Sequence, residues 1–461
     1  MEFNLNQRSN AGAWGSFSFR EKIQMESIWA ENWSRNSYWL EGIAKSPSPQ
    51  GAALPPSSTD VLIVGSGYTG LNAALETARA GRSTLVVDAT DPGWGCSTRN
   101  GGQISTSIKP SLEKLSLKYG HAKALAIRNE GKNALDWIED RVKAEKIDCH
   151  FQRCGRFHAA HSAQTFETLA REAEQLSKVE NIPSDIIPKD KQHSELGTDF
   201  YHGGVVFSHH ASLNPARYHH GLMQSAEKAG VTICGNCPVT RIERTSSGFM
   251  VETSKGQISA RDVIVATNGY TSGVSSWLKR RIIPIGSYII ATEPLPQDLM
   301  DKLFPRNRVI SDTRKVVYYF RPSPDRTRIL FGGRVSADET DTSVSGPRLY
   351  EDMCRIFPEL RGHKITHSWA GTVAYSFDEL PHIGINDGVY YAMGYCGTGV
   401  SLSSYLGMRL GQKVLGKKEG ATAFDDLSFP TRPLYTGKPW FLPPMVAWYR
   451  WRDRAQSKRS A

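Results

Sequence analysis

The 461-residue chain has no stretch approaching the roughly 18 consecutive apolar residues that a membrane span demands. An export signal is also missing: Met1 to Arg8 has no basic segment running into an apolar core, so the expected location is the cytoplasm. Cysteine is sparse and odd in number, seven residues without dense spacing, which argues against a disulfide framework and fits reduced thiols. No internal repeat and no nucleic-acid motif occurs, although the formal charge is +10. Lys and Arg are dispersed, with Lys279-Arg280-Arg281 and Arg450 to Arg459 the densest runs. The excess charge therefore reads as a basic surface that attracts anionic metabolites, not as a nucleic-acid footprint.

What remains has the composition of a soluble globular protein, 39% hydrophobic and 22% charged, and is long enough for two or three intertwined domains. Residues 1–58 read as an N-terminal extension, Trp-rich from Trp29 to Trp39, followed by a Pro/Ser/Ala linker from Ser46 to Ser58. From Asp60 the pattern is strand, Gly-rich turn, helix, strand. A helical stretch covers Leu112 to Ala144, a β-rich section runs from Arg281 to Arg334, and residues 389–416 return to strand, turn and helix.

The strand Asp60-Val61-Leu62-Ile63-Val64 runs into Gly65-Ser66-Gly67-Tyr68-Thr69-Gly70, a G-x-G-x-x-G turn that opens a helix. Gly65 permits the tight turn, Gly67 lets backbone approach a pyrophosphate, and Gly70 lets helix meet strand, while the helix N-terminus presents N–H groups to the anion. A second apolar strand ends in Asp88, at the distance expected of the acid that binds an adenosine ribose. Two further small-residue loops follow, Gly95 to Gln103 and Gly394 to Gly399, and a buried strand ends in Ala266-Thr267-Asn268-Gly269. The positive end of the helix after Gly399 could face charge on a reduced flavin.

Together these segments resemble the glycine/sarcosine/D-amino-acid oxidase family of flavoproteins, over about Asp60 to Leu415. Ser97 to Gln103, Trp369-Ala370-Gly371 and Pro439 to Pro444 are most like the gamma-glutamylputrescine oxidoreductases of that family. The resemblance implies an α/β (α+β) fold, with a Rossmann-type FAD-binding domain and a substrate domain built on an antiparallel sheet. Residues 59–110, 200–270 and 365–416 are assigned to the first, 111–199 and 271–364 to the second, and 417–461 to a C-terminal tail. It also implies an enzyme that oxidises the C–N bond of a small amine to an imine, passing electrons to O2 or another acceptor.

The residues matching the family's FAD-binding segments are Gly65, Gly67, Tyr68, Thr69, Gly70, Asp88, Ala89, Ser97, Thr98, Arg99, Asn100, Gly101, Gly102, Gln103, Val239, Thr267, Asn268, Gly269, Gly371, Gly397, Thr398, Gly399 and Val400. Candidate catalytic residues are Tyr288, Tyr318, Arg334 and Trp369, with Tyr319 and Arg321 in the same strand as Tyr318. Three departures from the family matter. Val400-Ser401-Leu402 stands where sarcosine-oxidase-like members carry a lysine for the substrate carboxylate, which disfavours an N-methyl amino acid held that way. No cysteine lies in Trp369 to Phe377 and no histidine in Ser97 to Gln103, the attachment points of covalent flavin in relatives, so non-covalent FAD is expected. No lysine stands between Arg326 and Arg334, where some family oxidases carry one.

Other signals carry less. Cys234-Gly235-Asn236-Cys237 does not open a helix, and the pairs His209-His210 and His219-His220 match no standard zinc spacing, so no metal is expected. The tail from Met445 to Arg454 mixes aromatics with arginines as interfacial membrane helices do, but packing of its rings onto the body is the favoured reading. Two rival functions remain: oxidation of a D- or N-alkyl amino acid, with Arg334 or Arg99 holding its carboxylate, and a flavin-binding scaffold subunit without turnover of its own. A hydroxylase is disfavoured because no second G-x-G-x-x-G turn is available for NADPH.

Overall fold

Val61, Leu62 and Ile63 are fully buried in the computed structural model, which describes residues 28–43, 54–180, 182–333 and 341–458. Burial on both faces is what a continuous apolar run implies for a central parallel strand. The chain begins with β1 (Trp29–Ser34), β2 (Ser58–Val64), α1 (Tyr68–Arg79), β3 (Thr84–Val87) and β4 (Gln103–Ile104). It continues through α2 (Leu112–Tyr119), α3 (His121–Ala144), β5 (Arg156–Ala159), α4 (Ala163–Val179), β6 (Asp185–Ile187) and β7 (Gly204–Phe207). Next come β8 (Ala211–Ser212), α5 (Pro215–Lys228), β9 (Thr232–Cys234), β10 (Val239–Thr245), β11 (Gly248–Thr253), β12 (Gly256–Val265) and α6 (Ser276–Lys279). The second half holds β13 (Ile283–Thr292), α7 (Gln297–Leu303), β14 (Val309–Asp312), β15 (Tyr318–Pro322), β16 (Ile329–Gly333), α8 (Thr342–Ile356) and β17 (Ile365–Tyr375). It closes with β18 (His382–Asn386), β19 (Val389–Met393), α9 (Gly399–Val414) and α10 (Leu442–Lys458).

Two large sheets result. The first has a parallel core, in which β12 lies beside β2, β2 beside β3 and β3 beside β9, while β19 adds in parallel to the end of β12. Strands β10 and β11 extend it as an antiparallel ribbon. Helices α1, α3, α5 and α9 share one hydrophobic core with this sheet. Helix α9 crosses α1 at Gly407, where a Cβ atom would stand 2.4 Å from the Thr69 carbonyl oxygen, so only a glycine permits that approach.

The second sheet runs β1-β17-β13-β16-β15-β14-β5-β7-β6. It is antiparallel except at β1 with β17 and at β14 with β5, so it is mixed rather than purely antiparallel. The helical pattern over Leu112 to Ala144 is two helices: Gly120 takes a φ of 82°, which ends α2 and starts α3.

Sheet membership departs from the expected division of the chain. Strands β7 and β17, assigned to the FAD-binding part, pair within the second sheet, and β1 from the extension pairs with β17 at its edge. Helix α3, assigned to the substrate part, packs in the core of the first sheet, because its apolar stripe of Ile127, Ala134, Leu135 and Ile138 faces α9. Helix α10 is fixed to the body by Asp453, whose carboxylate accepts the N–H groups of Lys315 (3.1 Å) and Val316 (3.2 Å). Trp448 and Trp451, expected to pack inward, are 51% and 66% exposed. No helix among the described residues is long and apolar enough to cross a membrane.

Candidate active site

Gly65 has a φ of +106°, and a Cβ there would touch the Ala266 carbonyl oxygen at 3.0 Å, so the chain turns sharply off β2 into α1 only with glycine at this position. At Gly70 a Cβ would fall 1.9 Å from the Gly65 carbonyl oxygen, which is the close meeting of helix and turn expected from the motif. The Asp88 carboxylate braces the turn, with one oxygen accepting the Ser66 N–H (2.9 Å) and hydroxyl (2.6 Å) and the other accepting the Thr90 N–H (3.1 Å). His219 supports it from behind, its Nε2 lying 2.8 Å from the Ser66 carbonyl oxygen, which gives one member of the His pairs a structural place.

The loop from Gly95 to Gln103 is held at successive carbonyls. Ser37 donates its hydroxyl to the Thr98 carbonyl (3.0 Å), and the indole N–H of Trp39 donates to that of Asn100 (2.8 Å). Trp369 supplies the third, donating to the Arg99 carbonyl at 2.8 Å. Within the loop, the Asn100 side chain accepts the Gly102 N–H (2.8 Å), and Gln103 donates to the Ile310 and Phe320 carbonyls. Gly394 to Gly399 is tied in likewise: its Tyr395 hydroxyl lies 2.7 Å from that of Thr69, and Thr398 donates to the Ser107 carbonyl (3.0 Å). The N-termini of α1 and α9 thus converge on one space.

That space is a cavity of about 700 Å³ between the two sheets. Its walls include Gly65, Gly67, Tyr68, Thr69, Asp88, Ala89, Ser97, Arg99, Asn100, Gly101, Gln103, Val239, Thr267, Asn268, Gly371, Gly397, Gly399 and Val400, all expected at an FAD site. Gly70, Thr98, Gly102, Gly269 and Thr398 stand behind the wall as supports. A loop of small residues, two converging helix N-termini and a cavity of about 700 Å³ fit a dinucleotide with an appended ring system.

The candidate catalytic residues fare differently. Tyr288 and Tyr318 turn to the opposite face of the second sheet, into the core beneath α8, and Trp369 is buried behind the Gly95 to Gln103 loop. Arg334 lies outside the described residues. The cavity is lined instead by the neighbours of opposite parity, Ser287 and Tyr319, whose hydroxyls are 2.7 Å apart, and by Thr372 and Val373. Arg321 is buried and donates to the Gly102 and Leu213 carbonyls, which makes it a brace for the loop.

Sequence reasoning missed the far end of the cavity, where Arg156 and His158 project from β5, with Lys109 and Lys315 also on the wall. The only signal for them is the alternation in Arg156-Phe157-His158-Ala159, whose even members face the cavity while Phe157 and Ala159 enter the core. Burial, with the charge of Arg156 adding to it, pulls the His158 imidazole down to about 3. Burial alone lowers the Arg156 guanidinium to about 10. No group of His, Cys, Asp and Glu among the described residues is arranged to hold a metal, and no disulfide joins any of the seven cysteines.

Comparison with known proteins agrees with this geometry. Residues 60–413 match the DAO family, described as FAD dependent oxidoreductase. The chain is 30% identical to the gamma-glutamylputrescine oxidoreductase of Escherichia coli, over 86% of this chain and 93% of that one. A probable oxidoreductase, OrdL, of Haemophilus influenzae is also 30% identical, over 82% and 88%. Among solved structures, glycine oxidase from Geobacillus kaustophilus superposes with a TM-score of 0.69 at 18% identity, covering 82% of this chain and 99% of that one. L-proline dehydrogenase from P. horikoshii gives 0.66, also at 18% identity, covering 80% and 96%.

A two-sheet fold with a dinucleotide cradle between its layers defines a flavoprotein oxidoreductase. The chain belongs to the DAO family of FAD-dependent oxidoreductases.

Proposed function

We propose that the protein oxidises the C–N bond of a small primary or secondary amine, a gamma-glutamylated polyamine being the leading candidate, to an imine that water hydrolyses to a carbonyl compound. The observation that carries the reading is the single cavity running from the Gly65 to Tyr68 turn to the wall of Ser287 and Tyr319. Similarity to the gamma-glutamylputrescine oxidoreductase of Escherichia coli supports the choice of substrate.

FAD, when bound, supplies the acceptor for a hydride from the carbon beside the amine. The residues Gly65, Gly67, Ser97 to Gly101 and Gly397 to Val400 would hold it without a covalent link. The remaining tasks belong to the protein: Tyr319 and Thr372 confine the substrate against the Gly95 to Gln103 loop, and the Tyr319 hydroxyl is oriented by Ser287. Cationic Lys109, Arg156 and Lys315 on the wall favour the neutral form of an entering amine, the form from which hydride transfer proceeds. Arg99, also on the cavity wall, favours a second reading, oxidation of a D- or N-alkyl amino acid whose carboxylate it would hold.

The test is anaerobic absorbance of the yellow holoenzyme against amines, N-methyl amino acids and D-amino acids, followed by admission of air. Bleaching by one class identifies the donor; rapid recolouring with peroxide marks O2 as acceptor, and slow recolouring marks another. A flavin bleached by no amine and no amino acid would leave the scaffold reading in place. Acid precipitation that releases all flavin into solution checks the non-covalent link.

A further inference from the structure

Arg156 is a partly buried cation with no carboxylate counter-ion among the described residues. Its Nε is sealed from solvent and without a hydrogen-bond partner, and no carboxylate among the described residues forms an ion pair with it. Its guanidinium instead makes a 3.4 Å hydrogen bond from Nη2 to the Ser107 hydroxyl and lies over the face of Phe207, with the ring centroid 5.2 Å from the guanidinium carbon. The imidazoles around it cannot offset the charge or share it. Burial lowers His158 to about 3 and His209 to about 4, and takes His210 well below its ordinary value, so all three are neutral near pH 7. Asp312, a carboxylate on the cavity wall, is already committed to Arg314 and to the Tyr318 N–H.

A charge withdrawn from water without a counter-ion is unfavourable and persists where a ligand completes it. Arg156 lines the same cavity as the flavin cradle, so a molecule in that cavity can reach it. We propose that Arg156 is the anchor for a carboxylate carried by the substrate at a distance from the bond being oxidised. This rests on the amine-oxidation reading above.

The sheet provides the ruler. Strand β5, which bears Arg156, is separated from β15, which bears Tyr319, by β14 alone, so the two side chains project from strands roughly 10 Å apart. A compact α-amino acid, whose carboxylate sits one carbon from its amine, cannot touch both walls. A linear amine ending in a carboxylate can. The planar fork of Arg156 suits a carboxylate through paired hydrogen bonds, and the Ser107 hydroxyl, which accepts from Nη2, steadies the fork.

The experiment compares two amines that differ only at the far end, one with a free carboxylate and one with the corresponding carboxamide, in the FAD-loaded enzyme. The expected ratio of their kcat/KM values is about 100 in the wild type and near one in Arg156→Met, the loss falling mainly on KM. Titration calorimetry with glutarate gives an independent readout, with binding to the wild type that Arg156→Met abolishes. A wild-type ratio near one, or a high ratio that survives Arg156→Met, overturns the proposal. So does an equal slowing of both amines together with a shifted flavin potential, which would assign Arg156 to the cofactor. Should Arg156→Met lose its flavin, Arg156→Lys carries the test: a ratio reduced at least about 3-fold supports a bidentate anchor, and an unaltered ratio overturns it. If no amine bleaches the flavin yet glutarate binds in an Arg156-dependent way, the amine reading fails and the anion site stands. If amines bleach it but glutarate does not bind and the ratio is one, the anion site alone fails.

Discussion

The indole N–H of Trp369 donates a 2.8 Å hydrogen bond to the carbonyl of Arg99, and one residue further on the carbonyl of Asn100 receives the indole N–H of Trp39 at the same distance. Two tryptophans more than three hundred residues apart thus hold adjacent carbonyls of the loop that lines the cofactor cavity. Their role is to fix the path of backbone, not to touch substrate.

Replacing either indole by a ring without a donor should therefore weaken cofactor binding. Each lost hydrogen bond is worth about 1 kcal/mol, so Trp369→Phe and Trp39→Phe are expected to raise the Kd for FAD about 5-fold each. Fluorescence titration of the apoprotein with FAD measures it. A fall in kcat at unchanged FAD affinity would return Trp369 to the substrate wall.

Tyr318 and Tyr319 offer a paired comparison because they are neighbours on one strand and face opposite sides of the sheet. Tyr318 packs on Phe331, 5.5 Å between ring centroids, in the core under α8, whereas the Tyr319 hydroxyl meets Ser287 at the cavity. Tyr319→Phe should change KM or kcat for the amine about 10-fold with little change in melting temperature. Tyr318→Phe should do the reverse, costing about 1 kcal/mol of stability with the kinetics of the loaded enzyme nearly constant. Kinetics that respond to Tyr318 and ignore Tyr319 would mean that the strand register is read from the wrong face.

That pair explains what was legible in the sequence. The turn from Gly65 to Gly70 and the acid at Asp88 are local: spacing within some 25 residues fixes their geometry, and the structure places them at one end of the cavity. Tyr288, Tyr318 and Trp369 lie on the strands that line the cavity, but a shift of one residue exchanges the two faces of a strand, and both faces here carry aromatic residues. Ser37 and Trp39 were invisible because their partners are long-range, and the Trp-rich stretch had no periodicity to connect it with the Gly95 loop. Arg156 carried no motif at all. Its distinction is an unbonded Nε and the lack of a carboxylate counter-ion among the described residues, which only three-dimensional packing reveals.

The crossing of α9 over α1 sets the convergence of the two helix N-termini, and it depends on Gly407. Gly407→Ala would drive a methyl group to within 2.4 Å of the Thr69 carbonyl oxygen, so the helices must part. An expected loss of about 1–3 kcal/mol follows from overpacking, together with weaker FAD binding because Thr69 and Tyr395 are hydrogen-bonded across the same contact. Thermal unfolding with and without FAD tests both parts. An alanine variant that melts like the wild type and binds FAD as tightly would show that the crossing can yield.

His158 determines part of the response to acid. Its imidazole is lowered from 6.5 to about 3 by burial and by Arg156, so in the native protein it stays neutral across that interval while in the unfolded chain it gains a proton. The unfolded state then binds more protons, and stability falls as the pH drops from 6.5 towards 3, being fully retained above 6.5. One such group contributes a slope of about 1.4 kcal/mol per pH unit. His158→Gln keeps a polar side chain opposite Ser311 but has no proton to gain, so it should reduce the difference in unfolding free energy between pH 7.5 and pH 5 by about 2 kcal/mol. Urea unfolding of the holoenzyme at the two pH values, with FAD saturating, reads it directly. His161 and His209, also lowered to about 4, keep the remaining acid slope in place, so the variant should flatten the dependence without removing it. An unchanged slope would place a solvated, ordinarily titrating imidazole at position 158, and the neutral surroundings assigned to Arg156 would lose one of their members.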